Sequence, residues 1–429
     1  MAATPGLIVA DAPGLGKTIE TVMACDLIEA KSILVFCPST VKNHWAETFR
    51  EWGSIDREVD VAEGVPKFIR RNTVSIGSHA CLVKEQAALM YALAGPYDAV
   101  IVDEAHELRQ FRAARTRNMF GPMNYALWRQ TKYVWSLTGT PIVASAHDLY
   151  PWHASVLANR MPEQFSDYQF RDRFTHVRED ARGNLKSKGV KRLDEIVNLF
   201  GPFVMRRTLD SLGINLPPLT IQNLHVPLDH GTVEPILAAL TGWTPEKLEN
   251  VGADGGAEED SVLASVRHAL GLAKVNYAKN RILDLIRSGI YPIVAFFHHT
   301  AVRKALGEAL NGMGVDFNYI DGSVSPRRVA QAQADFQSGK TPVLLVQTQA
   351  GGMGLTLTAS NYALIVEPPW TAMALEQMVK RIHRITQLRP CLAEIMLADD
   401  VFVDPIMANV TAHKAETAAK ILMPFTRNF

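Results

Sequence analysis

The sequence predicts an α/β protein: two tandem domains, each a parallel sheet flanked by helices. Two observations carry that reading. Near the amino terminus the apolar run Leu7-Ile8-Val9-Ala10 meets a Pro/Gly turn, and residues 19–30 then show helical spacing, with Ile19, Met23, Leu27 and Ala30 expected on the buried face. From Pro292 the alternation restarts: apolar runs at 293–297, 317–320, 343–346 and 362–366 are separated by helix-length segments, which implies a second parallel sheet.

Length and composition bound the rest. A chain of 429 residues is too long for one core and suits two or three domains, and hydrophobic residues make up 47% of it, enough to fill them. Lys plus Arg and Asp plus Glu stand at 44 each, so a nucleic-acid surface has to arise from local clustering. The four cysteines form no Cys-x-x-Cys pair, which argues against a zinc site and suits a reducing compartment. No signal peptide or bilayer-length apolar run is present, so the expected location is intracellular, with no membrane partner.

The first motif is Asp11-Ala12-Pro13-Gly14-Leu15-Gly16-Lys17-Thr18, between a strand and a helix. Glycines there let backbone N–H groups approach phosphate oxygens, and the helix N-terminus adds partial positive charge. Lys17 is suited to the β- and γ-phosphates and the Thr18 hydroxyl to Mg²⁺. The generic pattern has glycine where Asp11 stands.

A second strand, 32–38, ends in Pro and leads into Ser39, Thr40, Lys42 and Asn43 at a helix start. That start is either a site for backbone phosphate or an N-cap with a solvated lysine. The strand 97–102 delivers Asp103 and Glu104 at its carboxyl end, where open α/β sheets bind ligands. Asp103 is suited to holding Mg²⁺ through water, and Glu104 to orienting or deprotonating an attacking water. The arginines at 109, 112, 115 and 117 either track a phosphate backbone or form a solvated helix face. A strand at 134–137 ends in the hydroxyl-bearing turn Thr138-Gly139-Thr140, suited to sensing a nucleotide.

Residues 151–275 read as helix-rich, with a basic Arg206-Arg207 pair and an acidic, glycine-rich segment at 249–260 expected to be a mobile loop. The domain boundary is expected between 216 and 227. Farther on, Asp321-Gly322-Ser323 with Arg327-Arg328 is either a phosphate site or a solvated turn. His298-His299 is expected to be structural. The glycines at 351, 352 and 354 require close backbone approach, and Gln377, Arg381 and Arg384 are spaced to share one helical face, with guanidinium groups suited to a phosphoryl group.

Taken in order, 11–18, 38–45, Asp103-Glu-Ala-His106, 137–141, 203–208, Asp321-Gly322, 350–355 and 377–387 resemble the superfamily-two helicase-like ATPases, specifically the Swi/Snf family of double-stranded DNA translocases. Phe296-Phe-His-His299 and Glu367-Pro-Pro-Trp370 are closer to the fork-remodelling, annealing-helicase branch. The resemblance implies two RecA-like lobes, 1–225 with a helical insertion near 151–200 and 226–429 with a helical linker near 229–280, with ATP in the cleft between them and DNA across both.

By motif, Asp11, Gly14, Leu15, Gly16, Lys17, Thr18, Gly354 and Gln377 bind nucleotide, Thr18 and Asp103 hold Mg²⁺, and Asp103 and Glu104 of the DEAH box serve hydrolysis. Arg381 and Arg384 match the arginine fingers. Ser39, Thr40, Lys42, Asn43, Arg206, Arg207, Gly322 and Gln349 fall in DNA-contacting motifs. The implied activity is ATP-dependent translocation on double-stranded DNA; the alternatives are a strand-separating helicase and a nucleotide-gated DNA-binding subunit. The family's adenine-recognising segment upstream of the phosphate loop has no counterpart in the six residues before Leu7, so another polypeptide is expected to supply it unless it is dispensed with. A minimal motor of bacterial or viral origin is expected, cytoplasmic rather than nuclear.

Overall fold

Both sheets are parallel throughout, and their central strands are apolar on both faces. The computed structural model describes residues 1–143, 145–179, 185–254, 260–348 and 354–426. The chain divides into one unit of Met1–Ile214 with Ala418–Phe429 and a second of Asn215–Thr417.

In the first unit, β1 (Gly6–Val9), β2 (Ile33–Cys37), β3 (Glu58–Val61), β4 (Thr73–Ser78), β5 (Tyr97–Asp103), β6 (Thr131–Leu137) and, after a hairpin, β9 (Val204–Met205) form a seven-stranded sheet in the order β3-β4-β2-β5-β6-β1-β9. The period of two along each strand splits the core. Ile8, Leu34, Phe36, Val100, Val102 and Val134 face one layer, while Val9, Ile33, Val35, Ile101, Trp135 and Leu137 face the other.

Three helices matter for the site: α1 (Lys17–Leu27), α2 (Lys42–Trp52) and α3 (Glu85–Ala94). The buried face of α1 is Thr21, Val22, Ala24 and Cys25, not the expected stripe, since Met23 is 52% exposed and Leu27 77%. The two sets lie on opposite faces of the helix, about 180° apart, and each carries apolar residues, so the period alone cannot choose between them. The sheet does, by packing Val22 and Cys25 with Val9, Ile33 and Val35.

The insertion near 151–200 is not wholly helical. Between the helices Asp167–Phe174 and Leu193–Phe200 it carries an antiparallel hairpin of β7 (His176–Glu179) and β8 (Leu185–Lys188).

The second sheet runs β10-β15-β14-β11-β13-β12, from β10 (Leu219–Val226), β11 (Ile293–Phe297), β12 (Phe317–Ile320), β13 (Val343–Gln347), β14 (Tyr362–Ile365) and β15 (Cys391–Ala398). Because β10 pairs along its whole length with β15, residues 219–225 belong to the second sheet rather than to a lobe ending at 225. The stretch before β11 holds the helices His230–Ala239, Pro245–Asp254, Ser261–Ala273 and Val275–Arg287. Residues 249–254, expected in a loop, are helical, and 255–259 lie outside the described residues.

Candidate active site

In the sheet order β5-β6-β1, the carboxyl ends of three neighbouring strands bring Asp103, Thr138 and the loop at 11–16 to one edge. Gly14 and Gly16 adopt φ values of 88° and 82°, left-handed backbone that glycine enters without steric cost, and Gly16 is the N-cap of α1. A Cβ on Gly16 would meet nothing within 4 Å, so open space lies over the loop. The Lys17 ammonium folds back on its own loop and donates to the carbonyls of Asp11 at 2.9 Å and Ala12 at 3.3 Å. Thr18, next in α1, and Leu15 are half-buried.

Asp11 stands where glycine is usual because it has a partner. Its fully buried carboxylate accepts from the Arg207 backbone N–H at 2.7 Å and from the Arg207 guanidinium, which also pairs with Glu20. Arg206 Nη1 donates to the Ala10 carbonyl at 2.8 Å. Both guanidinium groups, expected in a DNA-contacting motif, here brace the strand and loop that carry Lys17. In the arginine run, the largely exposed Arg112 pairs with Asp167 at 3.3 Å and Arg115 with Glu107 at 3.0 Å.

Asp103 is gripped from two sides. Oδ2 accepts from the indole N–H of buried Trp45 at 2.9 Å, and Oδ1 from the Glu104 N–H at 2.9 Å. Burial, reinforced by the neighbouring Glu104 charge, pushes its carboxyl up to about 6. Glu104 has φ 46°, an unusual conformation for a non-glycine residue and a form of local strain found at functional sites. Buried His106 places Nδ1 3.2 Å from the Thr138 hydroxyl and 3.2 Å from Glu104 Oε2, and Thr138 Oγ1 accepts from the Thr140 N–H at 3.2 Å. One imidazole thus joins the acidic motif to the hydroxyl turn.

Of the residues at the start of α2, Ser39, Thr40 and Asn43 are exposed. Lys42 is not a free cation: its amine donates to the Ala62 carbonyl at 2.6 Å.

In the second unit the expected shared helical face does not form. The helix Ala372–Val379, which carries half-buried Gln377, is capped at Lys380, ahead of both arginines. Arg381 is buried and its carbonyl accepts from the Leu357 N–H at 2.9 Å, a bond that continued helix would not leave available. Arg384 is folded inward, donating from Nη1 to Thr356 Oγ1 at 2.9 Å and to the Gly354 carbonyl at 3.3 Å, and from Nε to the Lys380 carbonyl at 2.8 Å. Each of these partners is a neutral oxygen, and burial pulls the guanidinium down to about 10. Gly322 is exposed and its N–H is taken by Gln347 Oε1 at 3.2 Å; Gln349 lies outside the described residues. The backbone N–H groups of His298 and His299, expected to be structural, donate to buried Glu367 at 2.7 and 2.9 Å, and His299 Nδ1 lies 2.6 Å from Glu367 Oε1.

Parallel sheets that gather a phosphate loop, paired acids and a hydroxyl turn at one edge, followed by a second parallel sheet whose unit carries Arg381 and Arg384, define the class of helicase-like ATPases with RecA-like lobes. The chain matches the SNF2-related domain over residues 2–235 and the helicase conserved C-terminal domain over 278–386. It belongs to the SNF2-related family.

It is similar to the human DNA annealing helicase and endonuclease ZRANB3, at 24% identity over 97% of this chain and 38% of the human protein. It is also similar to the SWI/SNF-related matrix-associated actin-dependent regulator of chromatin subfamily A-like protein 1 of Xenopus tropicalis, at 28% identity over 89% of this chain and 39% of the frog protein. The chain thus spans under two-fifths of these relatives' length. A solved structure, the Sulfolobus solfataricus SWI2/SNF2 ATPase core in complex with dsDNA, is similar with a TM-score of 0.42 and 18% identity, covering 98% of this chain and 93% of that one.

These relatives lend no support to a bacterial or viral cytoplasmic motor, nor to a separate polypeptide completing the first lobe. Among the described residues no helix is long and apolar enough to cross a membrane.

Proposed function

We propose that this chain is an ATP-dependent translocase on double-stranded DNA that remodels DNA or protein–DNA complexes. The observation that carries the proposal is the Asp103–Glu104 pair, held by Trp45 at the same sheet edge as Lys17 and the phosphate loop.

The residues fit a magnesium-bound triphosphate. The loop has open space over Gly16, and two adjacent carboxylates, one raised by burial and by the other's charge, form a site that favours a cation. Thr18 and Asp103 would hold Mg²⁺, which supplies neutralisation of phosphate charge.

The chain's own groups do the rest. Lys17 exchanges neutral carbonyl partners for charge-assisted bonds to phosphate oxygens. Glu104 orients and deprotonates the attacking water. The His106–Thr138 contact carries any shift of Glu104 to the hydroxyl turn. From the second unit, Arg384 supplies a cation whose neutral partners leave its charge uncompensated, and Arg381 lies three residues before it in the same motif. Repeated ATP binding and hydrolysis would drive the protein along duplex DNA. Exposed Ser39, Thr40 and Asn43 are proposed as backbone-phosphate contacts.

The test is ATP turnover with duplex DNA, single-stranded DNA and RNA, for wild type, Lys17→Ala and Arg384→Ala. Duplex DNA should stimulate most, with both variants at background. Strongest stimulation by RNA, or equal background rates in all three proteins, would refute the proposal. Displacement of a third strand without opening of the duplex separates translocation from unwinding.

A further inference from the structure

Three destabilising features of the second unit meet just beyond the carboxyl end of β14. The first is Glu367, a carboxylate only 1% exposed, held through Oε2 by the His298 and His299 N–H groups and through Oε1 by the His299 ring. The second is Gly271 in the helix Ser261–Ala273, where glycine costs about 0.5–1 kcal/mol relative to alanine. A Cβ there would come within 2.6 Å of Glu367 Oε1 and 2.8 Å of Val302 Cγ2, so glycine is what lets the helix approach the carboxylate. The third is Arg267, one turn earlier on the same helix face and 6% exposed. Its Nη2 donates to the Pro368 carbonyl at 3.0 Å, and its guanidinium lies 5.0 Å from the centre of the Trp370 ring.

Simple cohesion does not ask for this arrangement. Well-packed apolar side chains in place of a buried charged cluster are often neutral or stabilising, whereas directional bonds fix one geometry. What the bonds fix is the peptide from Glu367 to Trp370. The next residue, Thr371, is the N-cap of the helix Ala372–Val379, its hydroxyl accepting from the Ala374 N–H. That helix carries Gln377 and ends just ahead of Arg381 and Arg384. A continuous path therefore runs from the helix Ser261–Ala273 through Pro368, Trp370 and the Thr371 cap to the arginine motif. Neither family match, over 2–235 and 278–386, covers the helix at the head of this path.

We propose that Arg267 and Gly271 are positioning residues for ATP turnover, acting through Glu367 and the loop 367–371 on the orientation of Arg381 and Arg384. Arg267 holds the loop from above its Pro368 carbonyl and Trp370 ring, and Gly271 admits the carboxylate that ties the same loop to the end of β11. The inference rests on the reading of the two arginines given above and extends it to a helix outside the matched domains.

The experiment uses the full chain with saturating duplex DNA, well below the thermal midpoint of every variant. It measures kcat and KM for ATP, duplex affinity and the thermal midpoint for wild type, Arg267→Ala, Arg267→Lys, Gly271→Ala and Ile282→Val. Ile282 is fully buried in a cluster of the same unit that does not include Trp370, so Ile282→Val thins the core without touching the loop. Arg267→Ala and Gly271→Ala should each lower kcat about tenfold or more, the effect of a small misplacement of catalytic groups, with KM and duplex affinity within about twofold of wild type. Arg267→Lys, which keeps a cation and a donor for the Pro368 carbonyl, should recover part of kcat. Ile282→Val should lower the midpoint and leave kcat unchanged. A kcat within twofold of wild type in both Arg267→Ala and Gly271→Ala, a loss carried by KM or duplex affinity instead, or an equal fall of kcat in Ile282→Val would overturn the positioning role while leaving the reading of the arginines intact. A wild type without duplex-stimulated turnover would overturn that reading, and the inference with it.

Discussion

The indole N–H of Trp45 donates to Asp103 Oδ2 at 2.9 Å, joining the helix whose start is proposed to meet DNA to the carboxylate proposed to hold magnesium. Trp45 is fully buried, so the bond exchanges little with water. Trp45→Phe keeps the ring and removes the donor. It should cost about 1–3 kcal/mol of stability by leaving Asp103 short of a partner, and raise the Mg²⁺ concentration needed for half-maximal ATP turnover. Urea unfolding and a magnesium titration check both; an unchanged magnesium requirement would make the bond purely structural.

Arg207 is expected to matter for folding before it matters for ligands. Arg207→Ala strands the fully buried Asp11 carboxylate without its cation, a change that typically costs about 3–5 kcal/mol. Adding Asp11→Gly should recover part of that loss, because the uncompensated charge is gone. The urea midpoints of the single and double variants decide it. Unaltered stability with weakened DNA binding would return Arg207 to the nucleic-acid surface.

Arg384→Ala should lower ATP turnover by about 10³–10⁵, the usual effect of losing an arginine finger. Thr356→Ala removes one neutral partner that folds the guanidinium inward and keeps its charge, so it should leave far more activity. Steady-state kinetics of both variants separate charge from anchoring. Equal losses would show that the pocket around Arg384, rather than its cation, is what turnover needs.

Acid should weaken the first unit over a defined window. Burial holds His79 and His153 down to about 4, against about 6.5 in an unfolded chain. Between those values the unfolded chain binds more protons than the folded one, so stability is complete above about 6.5 and is lost as the pH falls toward 4. Urea midpoints at a series of pH values should show the slope. His153→Gln, which keeps an acceptor for the Phe165 N–H, should flatten it. A midpoint independent of pH across that range would contradict the burial argument.

The sequence by itself determined the strands and turns whose logic is local. The phosphate loop, the strand ending in Asp103 and the alternation after Pro292 are short-range patterns set by backbone sterics and hydrophobic period. Strands β3, β4 and β15 escaped notice because Thr73–Ser78 is half polar and Cys391–Ala398 carries Glu394 at its centre. That glutamate is tolerated inside a strand because Arg281 reaches it at 2.7 and 2.8 Å, with Gln222 and the Tyr362 hydroxyl also donating to it.

Tertiary structure alone decided which side chains are spoken for. Composition cannot distinguish an arginine that meets a phosphate from one that meets Asp11, since both ask only for an anion, and the chain supplied that anion 196 residues away. It likewise decided which apolar stripe of α1 is buried, and that Arg381 and Arg384 leave the helix. Partners distant in sequence and close in space determine those outcomes, and no local pattern records them.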